Sequence, residues 1–124
     1  MADPLSALRA TVSAMTPGPW EAHRNRFDTQ HMLYEAGVAV PLGALDSYDT
    51  NGPGPTKRQR EANATGIVSA VAIARFVADP ESLDKLATDV WDWLGNNYID
   101  RESPEDIREL IALVFTRIAR AANA

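Results

Sequence analysis

The chain predicts an α+β fold: a short N-terminal helix, a small antiparallel sheet of two or three strands, then three helices, the last two forming a hairpin. Three observations carry that prediction. Apolar residues recur at helical spacing in residues 5–15, 56–78, 83–94 and 107–118, but not in residues 20–42. Asp79-Pro80-Glu81 and Ser103-Pro104-Glu105-Asp106 each place a cap, a proline and an acid in the order that opens a helix. Gly and Pro cluster at 17–19 and 52–55, between the periodic runs. With 124 residues and an apolar fraction of 45%, the chain is expected to form a single domain, 1–124.

The first helix is expected over 4–15, with Asp3 as N-cap, Pro4 at the first helical position and Leu5, Leu8, Val12 and Met15 as its apolar stripe. Thr16-Pro17-Gly18-Pro19 stops it, and Trp20 after that rigid turn anchors a strand. The β region is expected over 20–42. His31–Glu35 and Val38–Leu42 read as a hairpin about Ala36-Gly37, with Leu33 opposite Val40 and Pro41 marking an edge. Trp20–Arg26 reads as a third strand. Residues 43–55 read as a loop, either a solvated connector or a binding loop.

The central helix is expected over 56–78, opened by a capping box of Thr56 and Gln59. Ala62, Gly66, Ala70 and Ala74 put small residues at every fourth position, a stripe expected to form the floor of the core. Asn63 lies within that apolar arc, so its amide is expected to bond to the Thr16–Trp20 turn, with Trp20 over Ile67 or Val71. Lys57, Arg58 and Arg60 crowd the positive end of the helix dipole, where they either reach water or meet an anion or acidic surface. In the helix expected over 80–95, Leu83, Leu86, Ala87, Val90 and Leu94 share a face edged by Trp91 and Trp93. Gly95-Asn96-Asn97 is expected to end it with left-handed backbone. In the helix expected over 104–121 the face is Ile107, Leu110, Ile111, Val114, Phe115 and Ile118, leaving Leu113 exposed.

The absence of cysteine excludes disulfides and thiolate chemistry. The net charge of −5 argues against direct nucleic-acid binding. That charge is localised: residues 1–78 balance, whereas 79–109 carry ten acids against three bases. No apolar run is expected to cross a membrane, and residues 1–15 lack a leader pattern, so a cytoplasmic location is expected. His23 and His31, with Asp28 and Glu35 nearby, do not have the spacing of a metal set, and no metal or other cofactor is expected. Gly52-Pro53-Gly54-Pro55 is not a phosphate loop, and no nucleophile elbow occurs, so an enzyme is not expected. The acids of 81–92, continued by Asp100, Glu102 and Glu109, form either a solvated face or a docking surface.

Thr16-Pro17-Gly18-Pro19-Trp20, followed after a β region by Glu61-Ala62-Asn63-Ala64 opening a helix, resembles small phage and prophage proteins of the Ead-like group of early-region accessory proteins. The resemblance covers residues 5–78 and implies a non-enzymatic accessory role. The function expected is binding, and inhibition, of a host protein or protein complex, with a host defence complex such as CRISPR–Cas the most concrete target. The expected protein-binding residues are Asp84, Asp89, Asp92, Trp91, Trp93, Asp100 and Glu102. Self-association as a homodimer, in a structural or assembly role, is the alternative.

Overall fold

A computed structural model describes residues 3–47 and 54–123. Its elements run α1 (Ser6–Ala14), β1 (Trp20–Arg24), β2 (Gln30–Glu35), β3 (Gly43–Asp46), α2 (Lys57–Ala78), α3 (Pro80–Asn96) and α4 (Pro104–Ala122). This is the mixed α+β order that the sequence predicts. Its contacts fall into two compact units, Ser13–Ala72 and Met1–Val12 with Ile73–Ala124.

The first of these units contains a three-stranded antiparallel sheet in the order β1-β2-β3. Pairing sets Ala22 and Gly43 on either side of Leu33, and Arg24 and Leu45 on either side of His31. Directly opposed residues share a face, so Trp20, Ala22, His31, Leu33 and Leu45 lie on one side. His31 and Leu33 are buried there. His23, Met32, Tyr34 and Asp46 lie on the other. The β1–β2 turn is held by Asn25, whose Oδ1 accepts from the backbone N–H groups of Thr29 (2.8 Å) and Gln30 (3.2 Å).

Two expectations about this sheet are corrected. The strand after β2 is Gly43–Asp46, within the expected loop, and Leu33 faces Gly43, not Val40. Gly37 does take positive φ (+82°) in a turn closed by Val38 N–H to the Glu35 carbonyl. The chain then swings out through Val38, Val40 and Leu42, all exposed, before it returns. The Gln30 amide donates to the Asp46 carboxylate at 2.6 Å and fixes the shifted register. Residues 48–53 of the expected loop lie outside the described residues.

The Thr16–Trp20 turn carries an internal hydrogen bond. Gly18 has φ of +84°, open to glycine and strained for other residues. The Trp20 indole N–H donates to the Thr16 carbonyl at 3.2 Å. Asn63 is not the partner of this turn, because its side chain is exposed on α2. Ala62, Gly66 and Ala70 are exposed as well, and a methyl group built on Gly66 would meet nothing within 4 Å. The small-residue stripe is therefore not the floor of the core. The inward face of α2 begins with Arg60 and Ala64, each 1% exposed, and continues through half-buried Ile67, Val68 and Val71.

The start of α2 is the capping box that the sequence implies. Thr56 N–H donates to Gln59 Oε1 (2.9 Å), and Gln59 N–H donates to Thr56 Oγ1 (3.2 Å). By length and composition alone, α2 is also a helix that could cross a membrane, with a window of mean hydropathy 1.2. That corrects the expectation that no run reaches spanning length.

In the second unit, Asp3 Oδ1 accepts from Leu5 N–H (2.9 Å), and its carboxylate pairs with Arg9. Leu5, Leu8 and Val12 are half-buried, as is Met15 in the other unit, as their spacing implies. Arg9 Nε donates to the Ala78 carbonyl at the end of α2 (3.1 Å). Ser82 Oγ donates to the Asp79 carboxylate at 2.7 Å, and Ser103 Oγ accepts from Asp106 N–H at 3.3 Å. Ser103 thus caps α4 through its side chain, whereas Asp79 holds the N-cap position of α3, ahead of Pro80, without a side-chain cap bond.

α3 ends differently from expectation: Asn97 is extended (φ −138°, ψ 126°), with no left-handed residue. Instead the side-chain amides of Asn96 and Asn97 donate back to the carbonyls of Asp92 (3.0 Å) and Trp93 (2.8 Å) in the last turns.

α3 packs on α4. Both inward faces are rotated from those that periodicity suggests. Trp93 and Leu113 turn inward to half-buried positions, while Ala87 and Leu94, Ile111 and Phe115 turn outward. Asp89 and Arg117 pair across the two helices at 3.5 Å. Taking in the larger Trp93 and this pair leaves one apolar flank of each helix uncovered.

Candidate functional site

Two constellations stand out, one polar and buried, the other apolar and open. The first gathers groups from a turn, a strand, a helix and residue 47. Arg60 leaves the first turn of α2 and is almost wholly enclosed. Its Nε donates to His31 Nδ1 at 2.8 Å. Nη1 donates to the Asp28 carbonyl (2.9 Å) and Ser47 Oγ (2.8 Å), and Nη2 donates to the Asp28 carboxylate. Lys57 Nζ lies 4.0 Å from the same carboxylate.

Because His31 Nδ1 accepts, its imidazole proton sits on Nε2 in this arrangement. Asp28 adopts φ of +52° to present its carboxylate, a left-handed geometry that aspartate tolerates better than most residues. The hydrogen bond from Arg60 is the largest cause holding the Asp28 carboxyl below the ordinary aspartate range.

The cluster accounts for the basic start of α2. The helix has no acid in its first turn. Asp28, delivered by the β1–β2 turn, supplies the negative charge there and meets Lys57 and Arg60 together. Of the three cations, Lys57 and Arg58 are exposed and Arg60 is buried. Chemically the cluster is a latch: the His31 nitrogen and the Ser47 hydroxyl that could serve as base and nucleophile both accept from Arg60. His23 is separate from it on the opposite sheet face, pairing with Glu21 at 2.9 Å and tilted against Tyr34. Among the described residues, no three His, Asp or Glu side chains converge as a metal site.

The second constellation is a groove of about 800 Å³ between the end of α3, the connection 97–103 and the start of α4. Trp91, Leu94 and Gly95 form one wall, Ile107 and Leu110 the other, with Tyr98 and Ile99 at the end. Trp91 is 75% and Tyr98 87% exposed. From Ile107, i+4 spacing continues the α4 wall to Ile111 and Phe115, both exposed. Five large apolar side chains are thus presented to solvent. The three aromatics alone can bury about 150–250 Å² each.

The expected binding residues divide around this groove. Trp91 lines it, Asp92 follows on α3, and Asp84 lies two turns back on Trp91's side. Asp84 and Asp92 are exposed and have no ion-pair partner among the described residues. Glu102 is exposed beside Arg101, a lining residue. Asp100 is half-buried and engaged within the connection: its N–H donates to Asp106 Oδ2 (2.9 Å), and its Oδ1 accepts from Glu102 N–H (3.0 Å). Asp89 is held by Arg117 and Trp93 faces inward, so neither belongs to the open surface. Periodicity missed Leu94, Tyr98, Ile111 and Phe115. Tyr98, an aromatic in a short Asn-rich connection, was the available signal.

Neither a family model, nor a curated protein, nor a solved structure matches the chain.

Proposed function

We propose that this chain is a non-enzymatic accessory protein that acts by binding another protein through the α3–α4 groove. The observation that carries the reading is the uncovered flank itself: Trp91, Leu94, Tyr98, Ile111 and Phe115 are exposed, and the first three line a groove. Aromatic side chains in a pocket with a polar rim are the elements that dominate protein-binding energy. The engaged state of His31 and Ser47 supports a structural role for the polar cluster. The phage setting, and inhibition of a host defence complex as the outcome, rest on the resemblance carried by Thr16–Trp20 and Glu61–Ala64.

Photocrosslinking in bacterial cells tests this reading. Benzoylphenylalanine in place of Tyr98 should give a discrete protein adduct that is absent when the same group replaces Glu21 on the outer sheet face. Adduct formation should be lost in an Asp84→Lys, Asp92→Lys, Glu102→Lys triple variant that keeps its helical circular dichroism. Equal adducts from both positions would overturn the assignment of the groove.

A further inference from the structure

Beyond the groove, we propose that two copies of this chain join edge to edge through β1 into one continuous antiparallel sheet. β1 is open on one side: among the described elements it neighbours β2 alone. In an antiparallel pair the ladder bonds engage every second residue. The Pro19 carbonyl accepts from Ala36 N–H, and Asn25 N–H donates to the Gln30 carbonyl, both at 2.9 Å. Odd-numbered residues of β1 therefore turn their backbone groups to β2, and Trp20, Ala22 and Arg24 turn theirs outward. No hydrogen bond among the described residues engages those outward groups. Such an edge is a template for a further strand.

The edge is complementary to itself read backwards: Trp20-Glu21-Ala22-His23-Arg24. A two-fold axis at Ala22 sets Glu21 of one copy opposite His23 of the other, Trp20 opposite Arg24, and Ala22 opposite Ala22. Each carboxylate then meets an imidazole that can donate to it, as His23 and Glu21 already pair within one strand at 2.9 Å. Each exposed Arg24 guanidinium meets an indole, a favourable cation–π partner. The smallest side chain of the strand lies on the axis.

This register also opposes outward groups to outward groups at positions 20, 22 and 24, which allows about six hydrogen bonds between the copies. Moving the axis to residue 21 or 23 would oppose Glu21 to Glu21 or His23 to His23, pairing like with like. An axis between residues would oppose outward groups to inward ones and form no ladder. Parity and charge thus select one arrangement. β3, the other edge, offers less: only Ala44 and Asp46 of its four residues turn outward, and the Asp46 carboxylate is held by Gln30.

The chain has no cysteine, so a single Ala22→Cys substitution is a clean probe on the full protein. Opposed hydrogen-bonded residues have Cα atoms about 5.5 Å apart, within reach of a disulfide. Mild oxidation should link two chains in Ala22→Cys and not in Ala44→Cys on β3. Sedimentation velocity of the parent chain from about 1 μM to about 1 mM should show a reversible dimer. Ala22→Pro removes an outward N–H while leaving the β1–β2 ladder whole, and should be monomeric with unchanged circular dichroism. His23→Glu opposes two carboxylates and should weaken the dimer at least about tenfold, and adding Glu21→Lys should restore it. Any adduct from benzoylphenylalanine in place of Glu21 should have the mass of two copies of this chain, which distinguishes it from a groove adduct.

A monomer throughout that concentration range, with no cross-link from Ala22→Cys, would overturn the proposal. A dimer that survives Ala22→Pro but is lost in a Trp91→Ser, Phe115→Ser variant would overturn it in favour of self-association at the groove. Loss of the dimer in His23→Glu without rescue by Glu21→Lys would overturn the register on which the proposal rests.

Discussion

Replacing Arg60 with methionine tests whether the buried latch holds the sheet to α2. Methionine refills most of the aliphatic volume, so the change isolates the guanidinium. His31 Nδ1, in a side chain 6% exposed, loses its donor, at about 1–3 kcal/mol for a stranded buried acceptor. The Asp28 carboxylate also loses its partner, but its side chain is 41% exposed and water replaces the guanidinium, so it adds little. The loss is therefore about 1–3 kcal/mol, below the roughly 3–5 kcal/mol typical of breaking a fully buried pair. At roughly 4 °C per kcal/mol for a chain of this size, the melting temperature should fall by roughly 4–12 °C. Urea denaturation followed at the Trp20 near-ultraviolet signal reads the unit that contains the latch. Adding His31→Leu should recover part of the loss, because the stranded acceptor goes with it, giving a coupling of about 1–2 kcal/mol. A single variant within about 0.5 kcal/mol of the parent, or strict additivity in the double variant, would refute the latch.

Three further outcomes follow from the geometry. Gly18→Ala combines a φ of +84° with a new methyl 3.3 Å from Glu35 Cγ, and should destabilise by about 1–2 kcal/mol; calorimetry should show a larger fall than for Gly37→Ala, where φ is +82° but nothing lies within 4 Å. The Asp28 carboxyl is lowered in the folded state, so its stabilising contribution is complete above the unfolded value of about 3.9 and is lost as pH falls through the folded one. Urea midpoints measured from pH 5 to pH 2 should therefore drop below about pH 4, and Asp28→Asn, which keeps the left-handed turn, should flatten that drop. Ser103→Ala removes the hydroxyl that accepts from Asp106 N–H and should cost about 0.5–2 kcal/mol by urea denaturation, with α4 amide exchange rising first near Asp106.

Legibility in the sequence followed the range of the interactions involved. Helix starts and stops depend on neighbours a few residues apart, so Thr56 with Gln59, Asp79-Pro80 and Ser103-Pro104 were readable directly. Gly37 likewise announced its own turn. The strand after it was not readable, because the run Val38–Leu42 has more β character than Gly43–Asp46. The contacts that override this preference come from Gln30 and His31, more than ten residues away. Asn63 shows the same limit in reverse: its place in an apolar arc implied burial, but the arc is wider than the face α2 buries.

By itself the sequence determined the order of elements, the caps that bound the helices, and the concentration of acid in 79–109. Those properties are local or compositional. The tertiary structure decided which flank of each helix faces inward, and through that the two features that matter most. Arg60 became a buried latch because Asp28 and His31, about thirty residues earlier, converge on it and can satisfy a guanidinium that would otherwise stay in water. The groove lies where α3 and α4, joined by the Asp89–Arg117 pair, half-bury Trp93 and Leu113 and leave Trp91, Leu94, Ile111 and Phe115 exposed. An amphipathic helix has an apolar arc broader than one neighbour can cover, and only packing against a particular neighbour selects the part that remains exposed.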